Sequence, residues 1–417
     1  MKSIFRWGNC PYSLRAMFFL LALGYICKAQ QPIRLPEASS PPLAAEKQPP
    51  PASAYVGDAA CRTCHTQVAT YKETAHHLTS RLPTAETIGG SFSPGSNILL
   101  TANPSLLFEM DAADADFFET AKYTHPSSEV ETITERIDLV IGSGRKGRSY
   151  LYWKDDELFQ LPVSTWSATN AWINSPGFPD GTAHYDRAIV PQCLVCHSSY
   201  FESLAPPVNR FLKTSLVLGI LCEKCHGPGR EHVVRERSVS SLHHAPKKEI
   251  GKEAADEAII NPARLPRDRQ IDLCSLCHAG IGTPVASLLA FLPGDPIDRY
   301  LKISDPDPDA PPDVHTNQVQ LLRMSRCFQS SDMTCSTCHN VHQAQRNAES
   351  FAVHCMKCHN IQACGKYKEM GERISGKCID CHMPLQRTQM LVSKSSDQLL
   401  APLVRNHRIA IYPEPSQ

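Results

Sequence analysis

Hydrophobic and polar positions alternate most clearly over residues 132–164, where Thr132–Ile141, Ser149–Lys154 and Leu158–Val163 read as strands. The glycines of Gly142–Gly147 mark a turn between the first two, and Asp155, Asp156 and Glu157 mark a hairpin before the third. Trp153, Trp166 and Trp172 are expected in the core of this β-rich part or against a bound group. A second pattern lies at the start. Lys2, Arg6 and Arg15 precede the apolar stretch Ala16–Cys27, and Cys27 and Ala29 are small residues before a possible cut. That order reads as a secretory signal over 1–29, too short to span a bilayer. Seven prolines follow within 30–54, which excludes a helix or central strand and favours an extended spacer. From Gln192 onward the pattern gives only short helices and long irregular loops.

Charge changes the picture little. The 417 residues carry 42 Lys+Arg and 42 Asp+Glu, so there is no basic surplus for nucleic acid. Loss of 1–29 removes four basic residues and no acid, leaving an acidic chain. No apolar run reaches the roughly 20 residues of a membrane helix, so no membrane anchor is expected.

Composition changes it greatly. The chain has 18 Cys and 18 His, and most fall in one pentapeptide. CxxCH occurs seven times: Cys61-Cys64-His65, Cys193-Cys196-His197, Cys222-Cys225-His226, Cys274-Cys277-His278, Cys335-Cys338-His339, Cys355-Cys358-His359 and Cys378-Cys381-His382. Two cysteines three residues apart match the two vinyl groups on one haem edge, and the next His falls beneath the ring as proximal ligand. Zinc knuckles need no His after every second Cys and come in pairs. Disulfides would need partners elsewhere. The expected cofactor is haem c, seven covalently attached groups, with porphyrins serving as core.

Distal ligands must come from the other histidines. His342 and His354 stand too close to their own motifs to pass round the same ring, so each should serve a neighbouring haem. His232 follows the turn Gly227-Pro228-Gly229. His76 closes a helix begun after His65, His315 sits in a polar stretch, and His407 lies in a tail that must fold back. These six are the candidate distal ligands. His125, His184, His243 and His244 compete for a seventh place, and His77 is expected to face solvent. Met383 after the last motif is read as filling a haem rim. Cys327 and Cys364, outside the motifs, are expected to form a disulfide in an oxidising compartment.

The pattern resembles multihaem c-type cytochromes. The first half is similar to the family of the tetrahaem electron acceptor of hydroxylamine oxidoreductase, through Cys61–His76 and the segment CEKCHGPGREH at 222–232. The second half resembles the doubled-CxxCH domain, through MTCSTCHNVH at 333–342, HCMKCH at 354–359 and CIDCHMP at 378–384. The resemblance implies electron transfer along mostly bis-His haems and axial roles for His232, His342 and His354. The acceptor family has four haems against seven motifs here, so its pathway and partners do not carry over.

The expected fold is mainly α and irregular, a multihaem cytochrome c architecture with a small β-rich insertion at about 85–165. Residues 55–270 form a first haem domain and 271–417 a second, doubled-CxxCH-like domain and tail. The expected function is that of a periplasmic or otherwise extracytoplasmic electron carrier. Its partners are redox proteins, membrane-bound quinol-linked donors among them. Two alternatives stand beside it: an oxidoreductase with one open haem acting on a small nitrogen or sulfur oxyanion, and a filament-forming wire subunit. No CxxCK variant is present.

Overall fold

A computed structural model describes residues 47–412, apart from 205, 242–257, 306, 308, 310, 396 and 397. The expected export signal, most of the proline-rich spacer, and His243 and His244 lie outside the described residues. No helix among the described residues is long and apolar enough to cross a membrane.

The β-rich insertion is larger than its sequence suggests. Ten strands run from β1 (Ser80–Arg81) to β10 (Arg187–Ala188). Between them come β2 (Ile98–Leu100), β3 (Leu106–Ala113), β4 (Asp116–Thr124) and β5 (Val130–Arg136). These four make one antiparallel sheet in that order. Then β6 (Leu139–Ile141), β7 (Gly147–Lys154), β8 (Glu157–Trp166) and β9 (Ala171–Asn174) build the second, ordered β1-β6-β7-β8-β10 with β9 also on β8. The single strand expected over 132–141 is thus two strands in different sheets, broken at Ile137 and Asp138. Asp155 takes a positive φ of 52° in the β7–β8 hairpin, as its position in that turn requires.

The period-2 rule explains how the insertion meets the rest of the chain. Along β7, Tyr150 and Tyr152 enter a core shared with Phe108, Met110 and Phe117 of the other sheet. Leu151 and Trp153 point the opposite way, into a cluster with Leu194, Val195, Leu276 and Phe291. One sheet therefore has two buried faces, one closing a β-sandwich and the other covering the helices of the second and fourth motifs. Trp172 is in the sandwich core, as expected.

Outside the insertion the chain is short helices, loops and four small two-stranded sheets. Helices Pro191–His197, Cys222–His226, Arg267–His278 and Cys378–His382 each end on a motif histidine. After His65 the chain forms 3-10 turns over Thr66–Glu73 with non-helical geometry at Val68, and His76 lies beyond them, where a helix ending on His76 was expected.

Candidate haem-binding site

Each motif closes one helical turn. The backbone amides of His65, His339 and His359 donate to the carbonyls of Cys61, Cys335 and Cys355, all at 3.0 Å. This puts both thiols and the imidazole of a motif on one short segment.

The motifs also touch one another. Contact with Cys222, and then burial, push the Cys61 thiol far above its usual range. Cys277 does the same to Cys196, and Cys335 to Cys274. Cys225 is within electrostatic reach of Cys274 and Cys277, and Cys355 of Cys338 and Cys378. Motifs one, three, four, five, six and seven therefore follow each other in space, with motif two beside motif four.

The histidines pair across these segments. His65 and His232 have ring centres 6.2 Å apart with planes inclined 24°. His226 and His342 stand at 6.1 Å and 23°, and His339 and His407 at 6.3 Å and 23°. His76 and His278 stand at 6.0 Å and 69°. An imidazole nitrogen binds a metal at about 2.0 Å and lies roughly 1.1 Å from its own ring centre, so two imidazoles on opposite sides of one ion have centres about 6.2 Å apart. The four pairs have that separation, and in each a motif histidine faces a histidine from a distant segment. The residues thus fit a six-coordinate iron between each pair.

The rings are held in the tautomer such binding needs. Nδ1–H of His226 donates to the Ile260 carbonyl and that of His382 to Ala410, both at 2.9 Å. His407 donates to the Arg405 carbonyl at 3.0 Å. Nδ1 of His197 meets the Thr79 hydroxyl at 2.9 Å and Nδ1 of His278 the Gln318 side chain at 3.3 Å. With Nδ1 engaged, Nε2 is left as the donor atom. Burial holds His76 and His407 down to about 4 and lowers His197, His226 and His278 as well, which favours the neutral ring in these five. A neutral ring is the ligating form.

A cavity of about 2230 Å³ runs through the site, lined by residues of motifs one to five and by His76, His232, His315, His342 and His354. Single-ligand pockets hold about 300–1,000 Å³, so this space suits several large groups. Trp166 lines it too, whereas Trp153 packs on the neighbouring cluster. His315 lies within electrostatic reach of His197, both residues half-buried. His354 has a buried Nδ1 with no hydrogen-bond partner. Motifs two, six and seven form no ring pair among the described residues, and His359 is exposed.

The other candidates lie elsewhere. His125 bonds Glu131 at 3.1 Å within the β-sandwich, and His184 is exposed. His77 is half-buried, 3.8 Å from Asp58, where an exposed ring was expected. Met383 is half-buried, its carbonyl accepting from Arg405. Cys327 and Cys364 are both free, which corrects the expected disulfide. They lie by different motifs: Cys327 near Cys338 and Cys355, Cys364 near Cys378. Thr79, Gln318 and the carbonyls of Ile260 and Ala410 were not foreseen. The carbonyls carry no sequence signal, although Thr79 stands three residues after His76.

Residues 167–227, with the second and third motifs, match the family model of cytochrome c554 and c-prime. This segment is of cytochrome c type. The chain is also similar to the undecaheme cytochrome from the S-layer of Carboxydothermus ferrireducens, at 16% identity and a TM-score of 0.34. That likeness covers 81% of this chain and 52% of the other, so the chain spans about half the length of that protein. No curated protein matches.

Proposed function

We propose that this protein is an extracytoplasmic heptahaem c-type cytochrome that moves electrons along a row of covalently held haems. The four imidazole pairs at 6.0–6.3 Å carry the reading, because nothing in ordinary packing requires a motif histidine to meet a remote histidine at the ring-centre spacing of two ligands on one ion. The cytochrome c-type segment at 167–227 supports it. Bound haem would supply the electron-accepting iron. The chain's part is to fix the ring by two thioethers, hold both imidazoles, and keep neighbouring rings close.

In this reading His232, His342, His76 and His407 are the distal ligands for motifs one, three, four and five, with His315 for motif two. His354 turns to a neighbouring haem. The motif contacts then give the electron path one-three-four-five-six-seven, with haem two as a spur on haem four. Donor and acceptor proteins dock where motif edges reach the surface, at Cys64–His65 of motif one, which begins that path, and at Cys358–His359 of motif six, next to its other end.

Mass spectrometry of the purified protein and its reduced absorption spectrum test this directly. Seven haems per chain, with low-spin signals dominating the oxidised resonance spectrum, are expected. A colourless protein whose motif thiols all react after denaturation would overturn it.

A further inference from the structure

The loop between β6 and β7, with the first two residues of β7, reads Gly142-Ser143-Gly144-Arg145-Lys146-Gly147-Arg148. Arg145, Lys146 and Arg148 line the central cavity, as does Arg187 of β10. None of these cations, nor Arg81 beside them, has a carboxylate partner among the described residues, and the Nε atoms of Arg81 and Arg148 are buried with no hydrogen-bond partner. Arg81 and Arg148 are partly withdrawn from water without a counter-charge, which is costly, and Arg145, Lys146 and Arg187 add exposed cations beside them, so the cluster points to an anion.

The loop is built to hold this arrangement. A Cβ on Gly89 or Gly144 would come within 2.6 Å of the Arg148 guanidinium, and both glycines have positive φ, 76° and 80°. Glycine at both positions lets the guanidinium lie between them. The loop is also fastened to the ligand-bearing segment. Gly142 N–H donates to the Thr79 carbonyl at 2.6 Å, and Arg81 donates to the Gly142 carbonyl at 3.0 Å. That segment carries His76, and Arg145 lies within electrostatic reach of its ring.

We infer that the Gly142–Arg148 loop is a carboxylate-binding site whose ligand is the propionate pair of the haem held between His76 and His278. The inference rests on the haem reading of the motifs. Propionates are favoured over a soluble oxyanion because the cations face the same cavity as the fourth motif and are anchored through its distal ligand's own segment. A guanidinium takes a carboxylate with two parallel hydrogen bonds, and an ammonium adds charge. Cations beside the ring favour the reduced iron by lowering the cost of the added electron. The insertion would then set the potential of the haem where the path branches.

The test is a spectroelectrochemical redox titration of the full-length holo-protein. Arg145→Gln, where the side chain is exposed, and the triple variant R145Q/K146Q/R148Q are compared with R148K, which keeps the charge. One midpoint potential should fall in R145Q and further in the triple variant, with the other six unmoved and R148K close to wild type. Seven attached haems with every potential unchanged would overturn the inference. So would a potential of the wild-type protein that moves on adding inorganic sulfate, since the loop would then be taking a soluble oxyanion. Absence of haem would instead defeat the reading of the motifs.

Discussion

His226 and His342 face each other at 6.1 Å with their planes 23° apart, although one closes the third motif and the other follows the fifth. Nδ1–H of His226 is bonded to the Ile260 carbonyl, so its Nε2 points into the gap. Tyr71, buried beneath, contacts the His342 ring at 6.3 Å and fixes its own hydroxyl on the Ile220 carbonyl. Changing His342 to Ala should convert one haem to high spin while all seven remain attached, because the thioethers do not depend on the distal ring. His232→Ala should do the same at the first motif. Electron paramagnetic resonance of the oxidised variants reads this, and an unaltered low-spin spectrum would remove the pairing.

Cys327 and Cys364 stand beside different motifs, each as a free thiol. A maleimide added to the denatured, unreduced, exported protein should therefore label two cysteines. The motif thiols would be consumed in thioethers, and Cys10 and Cys27 would leave with the leader. Two labelled sites mapped by peptide mass spectrometry are the expected result; none would mean the two thiols join after all.

How far the sequence was legible differs by length scale. The seven motifs are local and could be read outright. So could β7 and β8, where Tyr150, Tyr152 and Leu158 keep a clean alternation. Strand β4 was missed because buried Glu119 and Thr120 interrupt its apolar pattern. Most of β5 was read as a strand, but its exposure along nearly its whole length leaves no buried period to show that it belongs to a different sheet from β6. The pairing of His76 with His278 is beyond any local pattern, since it depends on β1 pairing with β6 and on Thr79 meeting His197. The Cys327–Cys364 expectation failed for a similar reason: closeness in sequence to dense motifs did not place the two thiols by the same one.

Glu119 gives a pH-dependent prediction. It is fully buried in the sandwich, where one carboxylate oxygen accepts from Val163 N–H at 3.2 Å and the Tyr185 hydroxyl lies beside the carboxylate. Burial raises its pKa from 4.5 to about 8. The folded chain then holds a proton that the unfolded chain releases, so this contribution to stability is complete below about pH 4 and declines as pH rises toward about 8. At about 1.4 kcal/mol per pH unit the loss is roughly 3–4 kcal/mol between about pH 5 and 8. Urea unfolding of Glu119→Gln should lack this slope and fall below wild type least at high pH. Parallel slopes for the two proteins would show a carboxylate charged throughout.

Glu223 lies inside the third motif and is 5% exposed, yet it serves the first. Its Oε1 accepts from Val56 N–H at 2.9 Å and from Gly229 N–H at 2.8 Å, and Oε2 accepts from Gly57 N–H at 2.8 Å. The carboxylate thus ties the chain entering the Cys61 motif to the turn that launches the His232 helix, and Cys61 and Cys222 are held in contact. One buried and two part-buried amides would lose their acceptor in Glu223→Ala, at a cost of roughly 2–4 kcal/mol in unfolding free energy. Glu223→Gln keeps one acceptor oxygen but turns an N–H toward the Gly57 amide, and should cost about half as much. The same variants should weaken magnetic coupling between the haems of motifs one and three, because their separation is set by this clamp. A Glu223→Ala protein with wild-type unfolding and unchanged coupling would show that the clamp holds neither the fold nor the pair.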